Sequence, residues 1–273
     1  MPKVSALVLN WWEIHVVAET INTLLTEDDV EIIVVDNGSR DGSQDYLKYL
    51  TQRVPHEKLK TILLNENYGS SYGRNVGIEL ASGMDIFLID GDIKYVKGTI
   101  PLYHDILFQE WSVERDGCRA GCVGYNDFNR VMATGTNGTQ VPTEADVETP
   151  TICTLSDWFP MAWTQYGLFR GDLLRSAKFP THGPFGTVGH GYEDDWLYHE
   201  MQKRQLRSVA VNVPLYFHDA HYSLKVMKRF NIPSRTEERG VAFQAHWGRD
   251  NGWRETLAKI AEEKRVPYAN YPA

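Results

Sequence analysis

Two carboxylates stand two residues apart in the segment FLIDGDI, directly after an apolar run of strand length. Asp90 and Asp92 offer the hard oxygen ligands that Mg²⁺ and Mn²⁺ prefer, and Gly91 between them permits a tight backbone turn. An ordinary acidic turn is the usual alternative for so short a motif. The position after a predicted buried strand favours a metal that bridges to a diphosphate.

A second polar group follows the run EIIVVD, in the segment VVDNGSRDGS. Asp36 ends the apolar run, and Asn37 and Gly38 after it tolerate the positive φ of a tight turn. A carboxylate fixed here can accept hydrogen bonds from a nucleobase edge, or it can cap the following turn. Asp36 is therefore a candidate nucleotide-binding residue with a structural alternative.

The third segment, NENYGSSYGRNVG, combines repeated small residues with one arginine near a predicted helix start. Its glycines let the backbone approach a ligand closely, and the Arg74 guanidinium can contact a base or a phosphate. Asn67 near its start follows a predicted strand, as Asn10 does after the first strand. We expect both asparagines, with Arg74, to belong to the same donor-binding site.

Strand and helix signals alternate regularly through the first part of the chain. Strands are predicted at 4–9, 31–36, 61–64 and 84–89, and helices at 16–25, 43–50 and 72–81. This alternation predicts an α/β fold with a mainly parallel, doubly wound sheet covered on both faces. Ligands bind such sheets beyond the carboxyl ends of the strands, so Asn10, Asp36 and Asp90 are expected at one edge.

The second part of the chain has weaker signals. Residues 124–157 are polar and aperiodic, which predicts a long surface loop that could contact an acceptor. Further strands are predicted at 163–169 and 209–217, with helices at 171–176 and 194–204. The remainder is interpreted as a C-terminal lid or helical tail at 221–273.

The three motifs, in this order, resemble the GT-A fold glycosyltransferases, and most closely the large family-2-like group. The shared pattern is a strand ending in VVDNGSxDGS, then NxNxGxxxGRNxG, then a strand ending in DGD. The resemblance covers roughly residues 3 to 220. It implies a Rossmann-like GT-A domain at 1–220, with a donor half to about 95 and an acceptor half from about 96. It also implies a nucleotide-sugar donor, commonly a UDP-sugar.

The segment GHGYEDDWLYHEM resembles the acceptor motif of the inverting members. The resemblance implies that Asp194 is the catalytic base, which removes a proton from an acceptor hydroxyl, and that Glu193 is oriented toward acceptor hydroxyls. Tyr192 stands where many members have glycine, which bears on the identity of the acceptor. An acidic helix start favoured by the macrodipole is the alternative interpretation.

A further metal ligand is expected, because Asp90 and Asp92 leave a hexacoordinate ion incompletely surrounded by protein. His218 follows the apolar run PLYF directly, and the resemblance places this segment beside the metal; His221 is the alternative. An imidazole ligand favours Mn²⁺ over Mg²⁺.

Composition limits the partners. The chain has 36 Asp and Glu against 28 Lys and Arg, a net charge of -8, and no dense basic run. A nucleic-acid acceptor is disfavoured on this ground but not excluded, since a local basic groove can coexist with an acidic whole. The first apolar run is too short to span a bilayer and lacks secretory features, so a cytoplasmic protein without a membrane span is expected.

Two other functions are compatible with parts of this pattern. A noncatalytic nucleotide-sugar-binding module would keep the fold, but binding alone needs no base such as Asp194. A sugar nucleotidyltransferase would also use acidic metal ligands on a doubly wound sheet. Those enzymes usually have a Gly-rich phosphate loop after the first strand, and LNWWEIH contains none.

Overall fold

The computed structural model describes residues 3–114, 117–125, 162, 164–181, 193–211 and 216–217. The strands are β1 (Val4–Asn10), β2 (Val30–Asp36), β3 (Leu59–Leu63), β4 (Asp85–Asp90), β5 (Ile93–Lys94), β6 (Arg119–Tyr125), β7 (Tyr166–Arg170), β8 (Leu206–Val211) and β9 (Tyr216–Phe217). The helices are α1 (Ile14–Leu24), α2 (Ser43–Thr51), α3 (Ser70–Leu80), α4 (Thr99–Trp111), α5 (Gly171–Ala177) and α6 (Glu193–Lys203).

Seven strands form the main sheet, in the order β3-β2-β1-β4-β7-β6-β8, while β5 and β9 form a small second sheet. β1 pairs in parallel with β2 and β4, β2 with β3, and β6 with β8. β7 is antiparallel to both of its neighbours, β4 and β6. The predicted α/β fold with a mainly parallel, doubly wound sheet is confirmed, with one reversed strand inside it.

The strand register brings the polar strand ends to one edge. Asn10 is the register partner of Asp36, and Leu9 is the partner of Asp90. The chain runs from β1 outward to β2 and β3 and then returns to β4 on the other side of β1. The strand order therefore reverses between β1 and β4, and open sheets of this kind bind ligands beside such a reversal.

Helices cover both faces of the sheet. α3 lies against the face that carries Leu7, where a Cβ added to Gly77 would lie 2.1 Å from Leu7 Cδ1. Phe87 is on the opposite face, because it precedes Leu88, the register partner of Leu7. There it packs against Tyr103 of α4 and, at a centroid distance of 4.9 Å, against Tyr166.

The centre of the sheet is buried on both sides. All four residues from Ile32 to Val35 are 0% exposed, which explains why β2 is a continuous apolar run without alternation. Burying each such side chain stabilises the fold by roughly 1.5–3 kcal/mol. No helix within the described ranges is long and apolar enough to cross a membrane.

Candidate active site

Asp36 is held from three directions at the end of β2. Asn10 Nδ2 donates to its Oδ2 at 2.7 Å, while the Ser39 N–H and Gln44 Nε2 donate to its Oδ1 at 2.8 and 2.9 Å. Its side chain is fully buried. Asp36 thus joins β1, the following turn and α2, and its contact with a nucleobase remains a prediction. Asn10 Oδ1 is buried without a hydrogen-bond partner in the described part of the chain.

Asn37 connects the end of β2 to the segment before α3. Its Nδ2 donates to Asn67 Oδ1 at 2.9 Å and to the Gly69 carbonyl at 3.1 Å. Its Oδ1 accepts a hydrogen bond of 3.0 Å from the Tyr68 N–H. The amide nitrogen and the amide oxygen of Asn37 are therefore both hydrogen-bonded. These bonds hold Asn67, a residue predicted to bind the nucleotide sugar, at the ligand edge.

Two turn positions at this edge have left-handed backbone. Gly38 has a φ of +80, and a Cβ there would lie 2.4 Å from the backbone carbonyl carbon of Glu66, so only glycine fits. Trp12 has a φ of 63, which is unusual for a bulky residue. Its N–H donates to Ser39 Oγ at 2.9 Å, which helps to hold that conformation.

Arg74 lies almost fully buried on α3 and pairs with the end of β4. Its Nη2 is 2.7 Å from Asp90 Oδ1, and its side chain is 6% exposed against 31% for Asp90. Burial alone lowers the pKa of Arg74, but the charges of Asp90, Glu193 and Asp194 outweigh burial and hold that pKa above its usual value. One guanidinium therefore interacts with carboxylates from both halves of the chain.

Asp92 is the second carboxylate of the pair, half-buried beside Asp90. Burial, with the charge of Asp90, raises the pKa of Asp92 to about 7, and Arg74 opposes that rise. Two neighbouring carboxylates that share one cationic partner carry surplus negative charge, and their oxygens match the ligand preference of Mg²⁺ and Mn²⁺. The residues present therefore fit a divalent ion. No third His, Cys, Asp or Glu completes a metal cluster within the described ranges.

Asp194 and Glu193 begin α6, across the edge from Asp90. Burial raises the pKa of Asp194 to about 7, while hydrogen bonds from Thr164 and the charge of Arg74 act in the opposite direction. The Glu193 side chain is buried and accepts a hydrogen bond from Ser70 Oγ at the start of α3. The structure thus brings the predicted base motif to the helix that carries Arg74.

Three residues at this site were not identified from sequence: Thr164, Ser70 and the connecting role of Asn37. Asn37 and Ser70 stand inside the segments VVDNGSRDGS and NENYGSSYGRNVG, whereas no local sequence signal marks Thr164. His218 and His221, the predicted metal ligands, lie outside the described residues, as does nearly all of the loop predicted at 124–157.

Known sequences resemble this chain mainly in its first part, from β1 to α4. The model of glycosyl transferase family 2 matches residues 5–107. The uncharacterized glycosyltransferase YibD of Escherichia coli is 29% identical over 153 residues, which cover 53% of this chain. The chain spans 41% of the length of YibD, well under two thirds.

Comparison with solved structures bears on the fold. The fragment 1–349 of TarS from S. aureus superposes with a TM-score of 0.55 at 19% identity, covering 92% of this chain and 74% of that one. The mannosyltransferase PcManGT of Pyrobaculum calidifontis, in complex with GDP-Man and Mn²⁺, gives 0.54 at 15% identity, covering 98% and 76%. The chain has the GT-A fold. The GT-A fold accounts for the sheet order and for the clustering of Asp36, Asp90 and Arg74 at one edge.

Proposed function

We propose that this protein transfers a sugar from a nucleoside-diphosphate sugar to an acceptor hydroxyl, with inversion at the anomeric carbon. The observation that carries the proposal is the position of Arg74. Its guanidinium pairs with Asp90 at 2.7 Å and also interacts with Glu193 and Asp194. A candidate diphosphate site and a candidate base therefore surround one buried cation, at the edge where GT-A folds bind ligands.

The proposed donor is a UDP-sugar. TarS 1-349 has been solved in complex with UDP-GlcNAc, and PcManGT in complex with GDP-Man, so nucleotide sugars are bound by proteins of this fold. In this chain, Asn10, Asp36 and Asn67 would contact the nucleoside, with the backbone at Gly91 close to the diphosphate. The closely fitted turns around Asn37 and Gly38 would keep this surface rigid before the donor binds.

A divalent ion, Mn²⁺ or Mg²⁺, is proposed at the carboxylate pair. Asp92 and Asp90 would hold it, with His218 or alternatively His221 as a further ligand. When bound, such an ion stabilises the negative charge that gathers on a departing diphosphate. Arg74 fixes the Asp90 carboxylate, and Asp92, which lacks a comparable ion-pair partner among the described residues, is the more available ligand.

Asp194 is proposed as the general base. A carboxylate with a pKa of about 7 is partly ionised at neutral pH and accepts a proton more strongly than an ordinary aspartate. It would take the proton from the acceptor hydroxyl while that oxygen bonds to the anomeric carbon. The bond from that carbon to the diphosphate oxygen breaks on the opposite side, so the configuration inverts.

The test incubates the purified full chain with Mn²⁺ and a panel of nucleotide sugars, with release of nucleoside diphosphate as the readout. Proton NMR of the product then reports the anomeric configuration. We expect diphosphate release from at least one donor, its loss on chelation, and an inverted product. A noncatalytic module would bind donors without turnover, and a nucleotidyltransferase would instead form nucleotide sugar from sugar phosphate and nucleoside triphosphate. Either result contradicts the proposal.

A further inference from the structure

Two adjacent residues just before β7 contact both sides of the candidate site. The Gln165 carbonyl accepts a hydrogen bond of 2.9 Å from the Asp90 N–H. The Thr164 N–H and Oγ1 donate to Asp194 Oδ1 at 2.8 and 2.5 Å. One dipeptide therefore joins the backbone of the carboxylate pair to the side chain of the proposed base.

The reversed direction of β7 makes this contact possible. Because β7 is antiparallel to β4, its first residue, Tyr166, pairs with Ile89 near the ligand edge. Every parallel strand reaches that edge with its last residue instead. The residues that precede β7 thus enter the site from the sheet itself, and Thr164 is 3% exposed there. The base is therefore held by a buried turn next to the sheet rather than by an exposed loop.

We propose that Thr164 is a positioning residue for the general base: it holds Asp194 Oδ1 and so presents Oδ2 to the acceptor hydroxyl. The inference rests on the proposed function, since it requires Asp194 to accept a proton. Both donated hydrogen bonds converge on the same oxygen, which leaves the other for proton transfer. The Thr164 N–H also contacts the Ala162 carbonyl at 2.9 Å, so the hydroxyl is the donor dedicated to Asp194.

The charged groups around Asp194 make the role of the hydroxyl measurable. Burial raises the pKa of Asp194, and Glu193 contributes further in that direction, while Thr164 and Arg74 lower it. A hydroxyl that donates to a carboxylate favours the ionised form. Removing the hydroxyl should therefore disorder the side chain and leave less of the base ionised at neutral pH.

The test compares Thr164→Val, which keeps the shape but removes the hydroxyl, with Thr164→Ser, which keeps the hydroxyl. We expect the valine variant to lose about 10- to 100-fold in kcat, the range for one hydrogen bond to a charged group, with the donor KM unchanged. The acid limb of its pH profile should move to higher pH. The serine variant should recover most of the turnover. Equal loss in both folded variants, or wild-type kcat in the valine variant, would overturn the proposal.

A second measurement does not need turnover. Carbon-detected NMR titration of the Asp194 carboxyl, assigned by its absence in Asp194→Asn, should show a higher pKa in Thr164→Val than in the wild type or Thr164→Ser. If the Asp194 pKa is the same in Thr164→Val as in the wild type, the proposed effect of the Thr164 hydroxyl on Asp194 is refuted. Absence of transfer from every donor would instead refute the proposed function, and this titration would still decide whether Thr164 controls Asp194.

Discussion

Arg74 Nη2 donates a hydrogen bond of 2.7 Å to Asp90 Oδ1, and this ion pair joins α3 to the end of β4 beside three further carboxylates. Among these, Asp92 and Asp194 have pKa values of about 7, raised mainly by burial from a usual 3.8. At these two carboxyls the folded protein binds more protons than the unfolded chain between about pH 4 and pH 7. Their contribution to stability should therefore fall as the pH rises through that window.

Arg74→Met should raise the pKa values of Asp92 and Asp194, because the arginine charge favours their ionised forms. We expect the unfolding free energy to fall by about 3 kcal/mol at pH 7.5, the low end for breaking a buried pair, since Asp90 is partly exposed. At pH 5 the loss should be smaller, because Asp92 and Asp194 are then protonated. Urea denaturation at both pH values measures the difference. Arg53→Met, at an exposed arginine, is the control, and an equal loss at both pH values would contradict the interpretation.

Asp92→Ala should abolish metal-dependent binding of nucleoside diphosphate while the fold remains intact. A half-buried carboxylate at a strand end contributes to a ligand site and little to the core. Calorimetry with UDP and Mn²⁺ measures the effect. The matched control is Asp45→Ala, whose side chain is 87% exposed on α2. Unchanged affinity in the Asp92 variant would remove this residue from the proposed metal site.

Asp194→Asn should lower transfer by at least about a hundredfold, while donor affinity changes little. The amide keeps the shape of the side chain but cannot take the acceptor proton. Steady-state kinetics with donor and acceptor varied separately distinguish these effects. Glu200→Gln in the same helix is the control. Near-normal turnover would leave Asp194 as an acidic helix start and exclude the inverting mechanism proposed for it.

His218→Ala should weaken Mn²⁺-supported activity more than His221→Ala does. An imidazole ligand contributes most with Mn²⁺, so activity supported by Mg²⁺ should change less. Activity measured across a titration of each metal compares the two variants. A metal-bound crystal structure with neither imidazole at coordination distance would refute the assignment of either histidine.

Asn37→Asp should destabilise the turn that carries Asn67. The new carboxylate would face Asn67 Oδ1 and the Gly69 carbonyl, both acceptors, where the amide now donates. We expect a loss of about 1–3 kcal/mol in unfolding free energy, typical of a buried acceptor left without its donor. Thermal or urea denaturation measures it, with Asn22→Asp on the exposed side of α1 as control. A variant as stable as the wild type would show that the turn does not depend on these hydrogen bonds.

The first four strands could be predicted from sequence to within two residues, because burial on both faces leaves continuous apolar runs such as Ile32 to Val35. β6 was missed. Its segment RAGCVGY contains two glycines that weaken a strand signal, yet a Cβ at Gly121 would lie 2.9 Å from Leu206 Cβ. The need for glycine there comes from packing against β8, which local sequence does not reveal.

The site could be predicted from sequence only in part. Asp90, Arg74 and Asp194 stand in motifs whose residue types indicate their chemistry. Thr164 does not, since its role depends on a hydrogen bond across 30 residues of chain. The strand predicted at 163–169 also begins later, at Tyr166. The Gln165 carbonyl still accepts a hydrogen bond from β4, but Thr164 donates to Asp194 instead of continuing the pairing.

The reversed strand β7 also bears on how a chain emerging from the ribosome matures. β1 to β4 are synthesised first and pair among themselves, whereas β7 can pair with β4 only after α4, β6 and the segment that follows β6 have also been synthesised. The order follows from synthesis rather than from loop length, since register partners such as Val4 and Asp85 are separated about as widely as Ile89 and Tyr166. We therefore expect a nascent chain to form the edge around Asp36 and Asp90 before Asp194 is held in place. Under the proposed function, such an intermediate would bind the nucleotide of the donor while still unable to transfer its sugar.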